Sequence, residues 1–330
     1  MLRLQQQFIN AVKHGHLEVV KLLLTDDRVD PSDRNNAAIG LAARNGHLEV
    51  VKLLLKDPHV DPSDDHNYAI TWAANYGHLE VVNLLLKDPR VDPSDDDNYA
   101  IKLAAMNGHL EIVKLLLNNL RVDPSDDDNA AIKWAAKKGH LKVVELLLKD
   151  SCVDPSDDDN LAIRWAAENG HLEVVELLLA DPRVDPSDDE NYSIQKAAAY
   201  GHTEVVKSLL EDSRVDPSDD DNLAIRWAAK YGHLKVVELL LADPHVDPSD
   251  DENYSIQEAA SYGHLEIVKL LLEDSRIDPS DDDNLAIRKA ADNGHLEVIK
   301  LLLQDPRIIS SNHKHINLNN IKMNIIILFM

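Results

Sequence analysis

The chain has 330 residues, a net charge of -25 and a single cysteine, Cys152. One cysteine rules out an intramolecular disulfide and suits a reducing, intracellular compartment, and so negative a chain repels nucleic acid and anionic membranes. The opening MLRLQQQFIN lacks the apolar core of a secretory leader, and no stretch approaches the roughly 20 apolar residues of a membrane-spanning helix.

Residues 1–13 read as the first helix. Phe8 stands where Ile39 stands one period later, Ala11 stands where Ala42 does, and Gln5, Gln6 and Gln7 supply a polar face. Gly15-His16 follows. The same dipeptide recurs at constant spacing at Gly46, Gly77, Gly108, Gly139, Gly170, Gly201, Gly232, Gly263 and Gly294. Ten copies at a fixed period mark an array of stacked units, none of which can cover its own apolar face. Residues 1–32 are then an N-terminal capping unit whose outer side faces water, and the array runs to 307.

Each later unit reads as loop, helix, tight turn, helix. In the copy beginning at Asp95, Asn98 suits a helix N-cap. Ala100, Ile101, Ala104 and Ala105 share one face of a short helix, and Gly108 ends it. His109 opens HLEIVKLLL, in which only Glu111 and Lys114 interrupt the apolar side chains. Such a helix is expected to be buried on most sides. The Glu111–Lys114 pair reverses at Lys142–Glu145 and becomes like-charged at Glu173–Glu176, so it is optional. Asp-Pro, as at Asp88-Pro89, stops the helix. The loop Val91-Asp92-Pro93-Ser94 and three acids, Asp95, Asp96 and Asp97, comes next, and Asp126, Asp127 and Asp128 repeat the pattern. After Arg307 the period breaks, and residues 308–330 form a divergent tail.

The loops hold 33 of the 59 acids, leaving 26 elsewhere against 34 Lys and Arg. The acidity therefore lies along one edge, which favours a basic partner, although charged loops also keep an array soluble.

The run AARNGHLEVVKLLL at 42–55, with the Val-Asp after it, resembles the ankyrin repeat, and the likeness covers roughly residues 5–307. The unit is two residues shorter than the family's usual 33. The family's Thr-Pro-Leu-His start is replaced by Tyr99-Ala100-Ile101-Lys102 and its variants, so the usual Thr–His hydrogen bonds cannot form. The Asn-x-Ala-Ile and Asp-Pro-Ser elements are similar to ankyrin arrays of giant viruses and amoebae. The resemblance implies an all-α ankyrin-repeat solenoid of helix-turn-helix units with short loop or hairpin fingers. It also implies a structural His in each Gly-His pair, and a protein-binding scaffold, a host protein being one partner if the chain is viral.

Family arrays bind on the concave side, through loop tips and first-helix ends. The matching variable positions include Asn75, Tyr76, Met106, Asn107, Lys137, Lys138, Glu168, Asn169, Tyr200, Lys230, Tyr231 and Tyr262. Tyrosine offers large contact area at low entropic cost. The candidate surface is these residues together with Asp95, Asp96, Asp97, Asp126, Asp127 and Asp128. Trp72, Trp134, Trp165 and Trp227 precede Ala-Ala in four copies and mark a packing position between units.

Chemistry is not indicated. Histidines one unit apart are about 8–10 Å from each other, too far to share a metal held at about 2 Å. The Asp runs lack the Gly turn and distal Glu of a calcium loop. Cys152 sits where Arg90 or Arg183 stands in other copies, and no singular nucleophile–base–orienter set appears. The expectation is a monomeric, non-enzymatic binder without cofactor or metal. The alternatives are an acidic structural or weakly Ca²⁺-responsive rod, and a drifting duplicate with no specific partner.

Overall fold

The computed structural model describes residues 2–310; the rest of the tail lies outside them. Among the described residues every regular element is a helix and there is no strand, so the fingers are turns and no hairpin forms. Two compact units result, one ending at Ala162 and the other beginning at Ile163. The first holds the helix pairs Leu2–Lys13 and Leu17–Leu23, Asp33–Arg44 and Leu48–Leu54, Asp64–Asn75 and Leu79–Leu85, Asp95–Met106 and Leu110–Leu117, and Asp126–Lys137 and Leu141–Leu147. The second holds Asp188–Ala199 with Thr203–Leu210, Asp219–Tyr231 with Leu234–Leu241, Asp250–Ser261 with Leu265–Glu273, and Asp281–Asp292 with Leu296–Leu302. Within each unit first helices stack on first helices and second helices on second helices.

The apolar spacing dictates this stacking. Ala100, Ile101, Ala104 and Ala105 are buried, as the pattern required, and Leu103 and the stem of Lys102 join them. In the second helix Ile112, Val113 and Leu116 are buried, while Leu110, Leu115 and Leu117 are only half-covered. The second helix therefore buries one stripe, not most of its circumference. Each fully buried aliphatic side chain contributes roughly 1.5–3 kcal/mol. The Glu111–Lys114 pair forms at 2.6 Å on the exposed side, where it adds little.

Gly-His works as a latch between neighbours. Gly108 has φ +74°, the left-handed conformation that ends the first helix. His140, one unit on, lays its imidazole against it: a Cβ at Gly108 would lie 2.6 Å from Nδ1. The Nε2–H of the same ring donates to the Met106 carbonyl at 3.0 Å. His78 does the same to Arg44, His109 to Asn75, His202 to Glu168 and His295 to Ser261, at 2.9–3.0 Å. The histidines thus brace adjacent backbone, each caught in the unit before its own.

The helix start departs from expectation. Asp96, Asp97 and Asn98 all have positive φ (54°, 52° and 59°), and the matching three residues do so in all nine copies of this loop. They form a left-handed turn before the right-handed helix. L-residues resist this conformation, and Asn, Asp and His tolerate it best after Gly. That suits the Asn that closes the turn in all nine copies and the Asp-Asp-Asn of five of them; Arg34, Glu190 and Glu252 take the same conformation without that tolerance. The Asn98 side chain accordingly turns away from its own helix. Its buried amide reaches the next unit instead: Oδ1 accepts the Asp123 N–H at 2.9 Å and Nδ2 donates to Asp126 Oδ2 at 2.7 Å. Asn36, Asn67, Asn129, Asn191, Asn222 and Asn253 repeat both bonds at 2.7–2.9 Å. Gln5, one period before Asn36, stands in for it at the N-terminal end. It donates to the Asp30 carbonyl at 2.7 Å and accepts the Asp30 N–H at 3.0 Å.

Candidate protein-binding surface

The six loop acids singled out by sequence divide by what they touch. Asp95 accepts the Asp96 N–H on Oδ1 and the Asn67 amide on Oδ2; Asp126 accepts the Asn98 amide. These two carboxylates hold the stack together. Asp127 accepts Lys102 Nζ from the preceding unit at 2.9 Å, and that hydrogen bond holds its carboxyl below the usual range. Asp96, Asp97 and Asp128 are exposed, and their carboxylates have no partner among the described residues. Of the six these three hold nothing else in the fold, while Asp127 stays exposed beside its lysine. Further acids serve the turns: Asp92 accepts both the N–H and Oγ–H of Ser94, which lowers its pKa. Asp88 grips Arg90, whose other arm donates to the Val60 carbonyl of the preceding unit at 2.9 Å.

The helix-end candidates come together at the C-terminal ends of the first helices, where the helix axis runs out just before each Gly. Asn75, Met106, Lys137, Glu168 and Lys230 are half-buried there; Tyr76, Asn107, Lys138, Asn169, Tyr200, Tyr231 and Tyr262 are exposed. The four tyrosines keep 46–56 % of their surface in water, so their rings are wall, not core. Asn107 donates to Asn75 Oδ1 at 2.9 Å and to the Leu103 carbonyl at 2.8 Å. Lys230 approaches Glu258 at 3.6 Å, and Lys289 meets the same carboxylate at 2.7 Å.

Hollows open between successive helix ends. One of about 520 Å³ is lined by Lys13, Leu41, Arg44, Asn45, Tyr76 and His78. Arg44 lies over the rings of Trp72 (5.2 Å) and Tyr76 (5.3 Å) and donates to Tyr76 Oη at 3.1 Å; the Tyr76 and Tyr68 hydroxyls raise its pKa further. In the other unit a hollow of about 470 Å³ is lined by Lys196, Ala199, Tyr200, Trp227, Tyr231 and His233. Lys196 Nζ sits 4.2 Å from the Trp227 centroid and 4.9 Å from that of Tyr192. The four tryptophans are half-buried, so the position before Ala-Ala floors these hollows as much as it packs the stack. Hollows of this size suit side chains of a partner; the one at Arg44 is mostly polar, and the one at Trp227 is mixed, with aromatic walls and a lysine.

One row escaped the sequence reading. Lys102, Lys133, Arg164 and Arg226 occupy the same place in their units, and each reaches the matching acid of the next unit: Asp127, Asp158, Asp189 and Asp251. The signal was a cation recurring at the period with an acid at fixed distance. It was hidden because the acids read as one continuous solvated run.

Among the described residues no group of three or more His, Cys, Asp or Glu converges on a point where a metal ion could sit. Cys152 is exposed, and the Asp150 carboxylate beside it pushes its thiol up, away from the thiolate a nucleophile needs. Among those residues no helix is long and apolar enough to cross a membrane.

A family model described as ankyrin repeats (3 copies) matches residues 8–97, 70–159, 163–252 and 225–315. No curated protein matches the chain. With nearly its whole length covered by that model, and its helix pairs latched to one another through Gly and His, the chain belongs to the ankyrin-repeat family, whose arrays are in general protein-interaction scaffolds.

Proposed function

We propose that the chain is a non-enzymatic protein-binding scaffold, monomeric and without cofactor, that holds its partner against the first-helix ends. The observation that carries this reading is the contrast within each unit. The latch, the left-handed turn and the Asn bridge recur almost unchanged, while of the two residues before each Gly from Gly46 onward the first differs in most copies and the second, which stands in water, is Asn in some copies, Tyr in others and Lys138 in one. A scaffold that fixes its own geometry and varies one surface is built for recognition by side chains. Exposed tyrosines beside half-buried tryptophans supply anchors of the kind that dominate binding energy. The acidic loop edge flanks this surface and steers a basic partner toward it. The likeness to arrays of giant viruses and amoebae supports a host protein as that partner and an intracellular setting.

The test uses three baits in lysate of the native cell: the intact chain, a triple Tyr200→Ser, Tyr231→Ser, Tyr262→Ser variant, and a triple Asp96→Asn, Asp97→Asn, Asp128→Asn variant. The loop variant changes only acids that hold nothing within the fold. A partner lost with the tyrosines and kept, with weaker salt dependence, by the loop variant supports the reading. A partner kept by the tyrosine variant and lost with the acids moves the site to the loops. A chain that retains nothing specific removes the scaffold reading.

A further inference from the structure

The repeats show where a ligand fits, because one of them lacks a side chain that others carry. At the position of Lys102 and Arg164 the second repeat, Asp33–Arg44 with Leu48–Leu54, has Gly40. In its place is a cavity of about 260 Å³, walled by Arg34, Gly40, Asp61, Asp65 and Tyr68 among others. The acid that pairs with this position belongs to the next unit, as Lys102 with Asp127, Lys133 with Asp158, and Arg226 with Asp251 show. For Gly40 the matching acid is Asp65, which is exposed and has no cation partner among the described residues. Arg34, the one cation on the wall, is drawn to Asp33 at 3.8 Å.

The residue three beyond that acid differs between the arginine and the lysine copies. Arg164 lies over Tyr192 (4.5 Å) and Arg226 over Tyr254 (4.6 Å). Where the position holds Lys102 or Lys133, the side chain beyond the acid is Ala130 or Leu161, with no ring. Beyond Asp65 the same place is taken by Tyr68, so the cavity has the acid and the ring that accompany arginine. A planar guanidinium satisfies both at once, by hydrogen bonds to the carboxylate in its plane and by stacking on the ring with its face. The volume falls below the roughly 300–1,000 Å³ of drug-sized sites and suits one side chain.

We propose that the Gly40 cavity receives an arginine side chain of a partner protein, between the Asp65 carboxylate and the Tyr68 ring. The proposal rests on the scaffold reading and names the chemistry of one contact within it.

The experiment is a titration of the full chain with Nα-acetyl-arginine N-methylamide, and separately with its neutral isostere Nα-acetyl-citrulline N-methylamide, followed by the amide resonances of Gly40, Asp65 and Tyr68. Saturable shifts at these residues are expected with the arginine compound only, with Kd on the order of 1–10 mM, as befits one partly exposed ion pair and one stacking contact. Asp65→Asn, which the left-handed turn accepts, should weaken the response at least about fivefold, a cost of about 1 kcal/mol at 1.4 kcal/mol per tenfold. Gly40→Arg should abolish it, because the protein's own side chain then fills the cavity. A Cβ at Gly40 meets Tyr68 Cδ1 at 2.8 Å, so the ring must tilt, as the arginine copies accommodate. No saturable shift at concentrations on the order of ten times that Kd, equal shifts with citrulline, or shifts that survive both substitutions overturn the assignment. Each of those results leaves the helix-end site to its own bait experiment, in which neither Gly40 nor Asp65 is altered.

Discussion

Asn98→Ala tests what holds one unit to the next. Asn98 is 3 % exposed and makes two bonds across the junction. The bond to the Asp126 carboxylate is charge-assisted, and such bonds are worth about 1.5–3 kcal/mol. Removing the other partner leaves the Asp123 N–H unsatisfied, a cost of about 1–3 kcal/mol where it is buried and less where water reaches it. Asp123 itself is exposed, so the lower end applies. Alanine must also hold φ near +59°, where Asn is better tolerated, for about 1 kcal/mol more. The expected total is about 3–5 kcal/mol. Asn98→Gly loses the same two bonds but accepts the left-handed backbone, so it should cost about 1 kcal/mol less than alanine. Urea unfolding followed by tryptophan fluorescence reads both, with native-state hydrogen exchange to localise the loss, since repeat arrays need not unfold as one unit. If alanine costs under about 0.5 kcal/mol, within the range of an ordinary surface change, the bridge is incidental. If glycine is no better than alanine, the left-handed turn is not what selects Asn.

Three further outcomes follow from the same geometry. Gly77→Ala meets both a left-handed φ of +80° and His109 Cε1 at 2.7 Å, whereas Gly294→Ala has φ +76° and nothing within 4 Å; thermal melting should show the first costing more than the second, which carries only the backbone penalty of about 1–2 kcal/mol. Ser255 is buried with no partner for its Oγ where most copies have Ala, so Ser255→Ala should stabilise by about 1 kcal/mol in urea unfolding. The carboxyls of Asp88, Asp181, Asp212, Asp274 and Asp305 are lowered by hydrogen bonds from the arginine two residues on, and Asp26 by the same contact to about 2 from 3.8. A depressed folded-state pKa gives stability that is present above the unfolded value and lost as pH falls through the folded one; the melting temperature should therefore be insensitive to these groups above pH 4 and fall between about 4 and 2.

The helical part of the fold was legible because its signals are local and repeated. The constant spacing of Gly-His counts the units, and the Ala100–Ile101–Ala104–Ala105 face states which side packs. The loops were not legible in the same way. Asp-Asp-Asn before an apolar run reads equally as a solvated acid run with an N-cap and as a left-handed turn with a bridging amide, since the same residues suit both. Only the coordinates of the next unit distinguish them, because Asn98 finds its partners at Asp123 and Asp126. Gln5 was the available clue: it stands one period before Asn36, and its amide makes the corresponding bridge without an Asn backbone.

The candidate surface divides along the same line. A run of six acids counted as one edge contains two that bind neighbouring Asn amides, one that pairs with Lys102, and three that face water. Of the six only Asp127 has its charge offset, by Lys102; Asp95 and Asp126 accept neutral Asn amides and keep their negative charge, so they add to the field of the edge although their oxygens are engaged within the stack. Bonds that recur at the period belong to the scaffold; the helix-end position varies between Asn and Tyr among most copies, and Gly40 breaks the period at a cation position. Gly40 is the position where this contrast is sharpest: Asp65 and Tyr68 stand as the matching acid and ring do around Arg164 and Arg226, with no side chain between them.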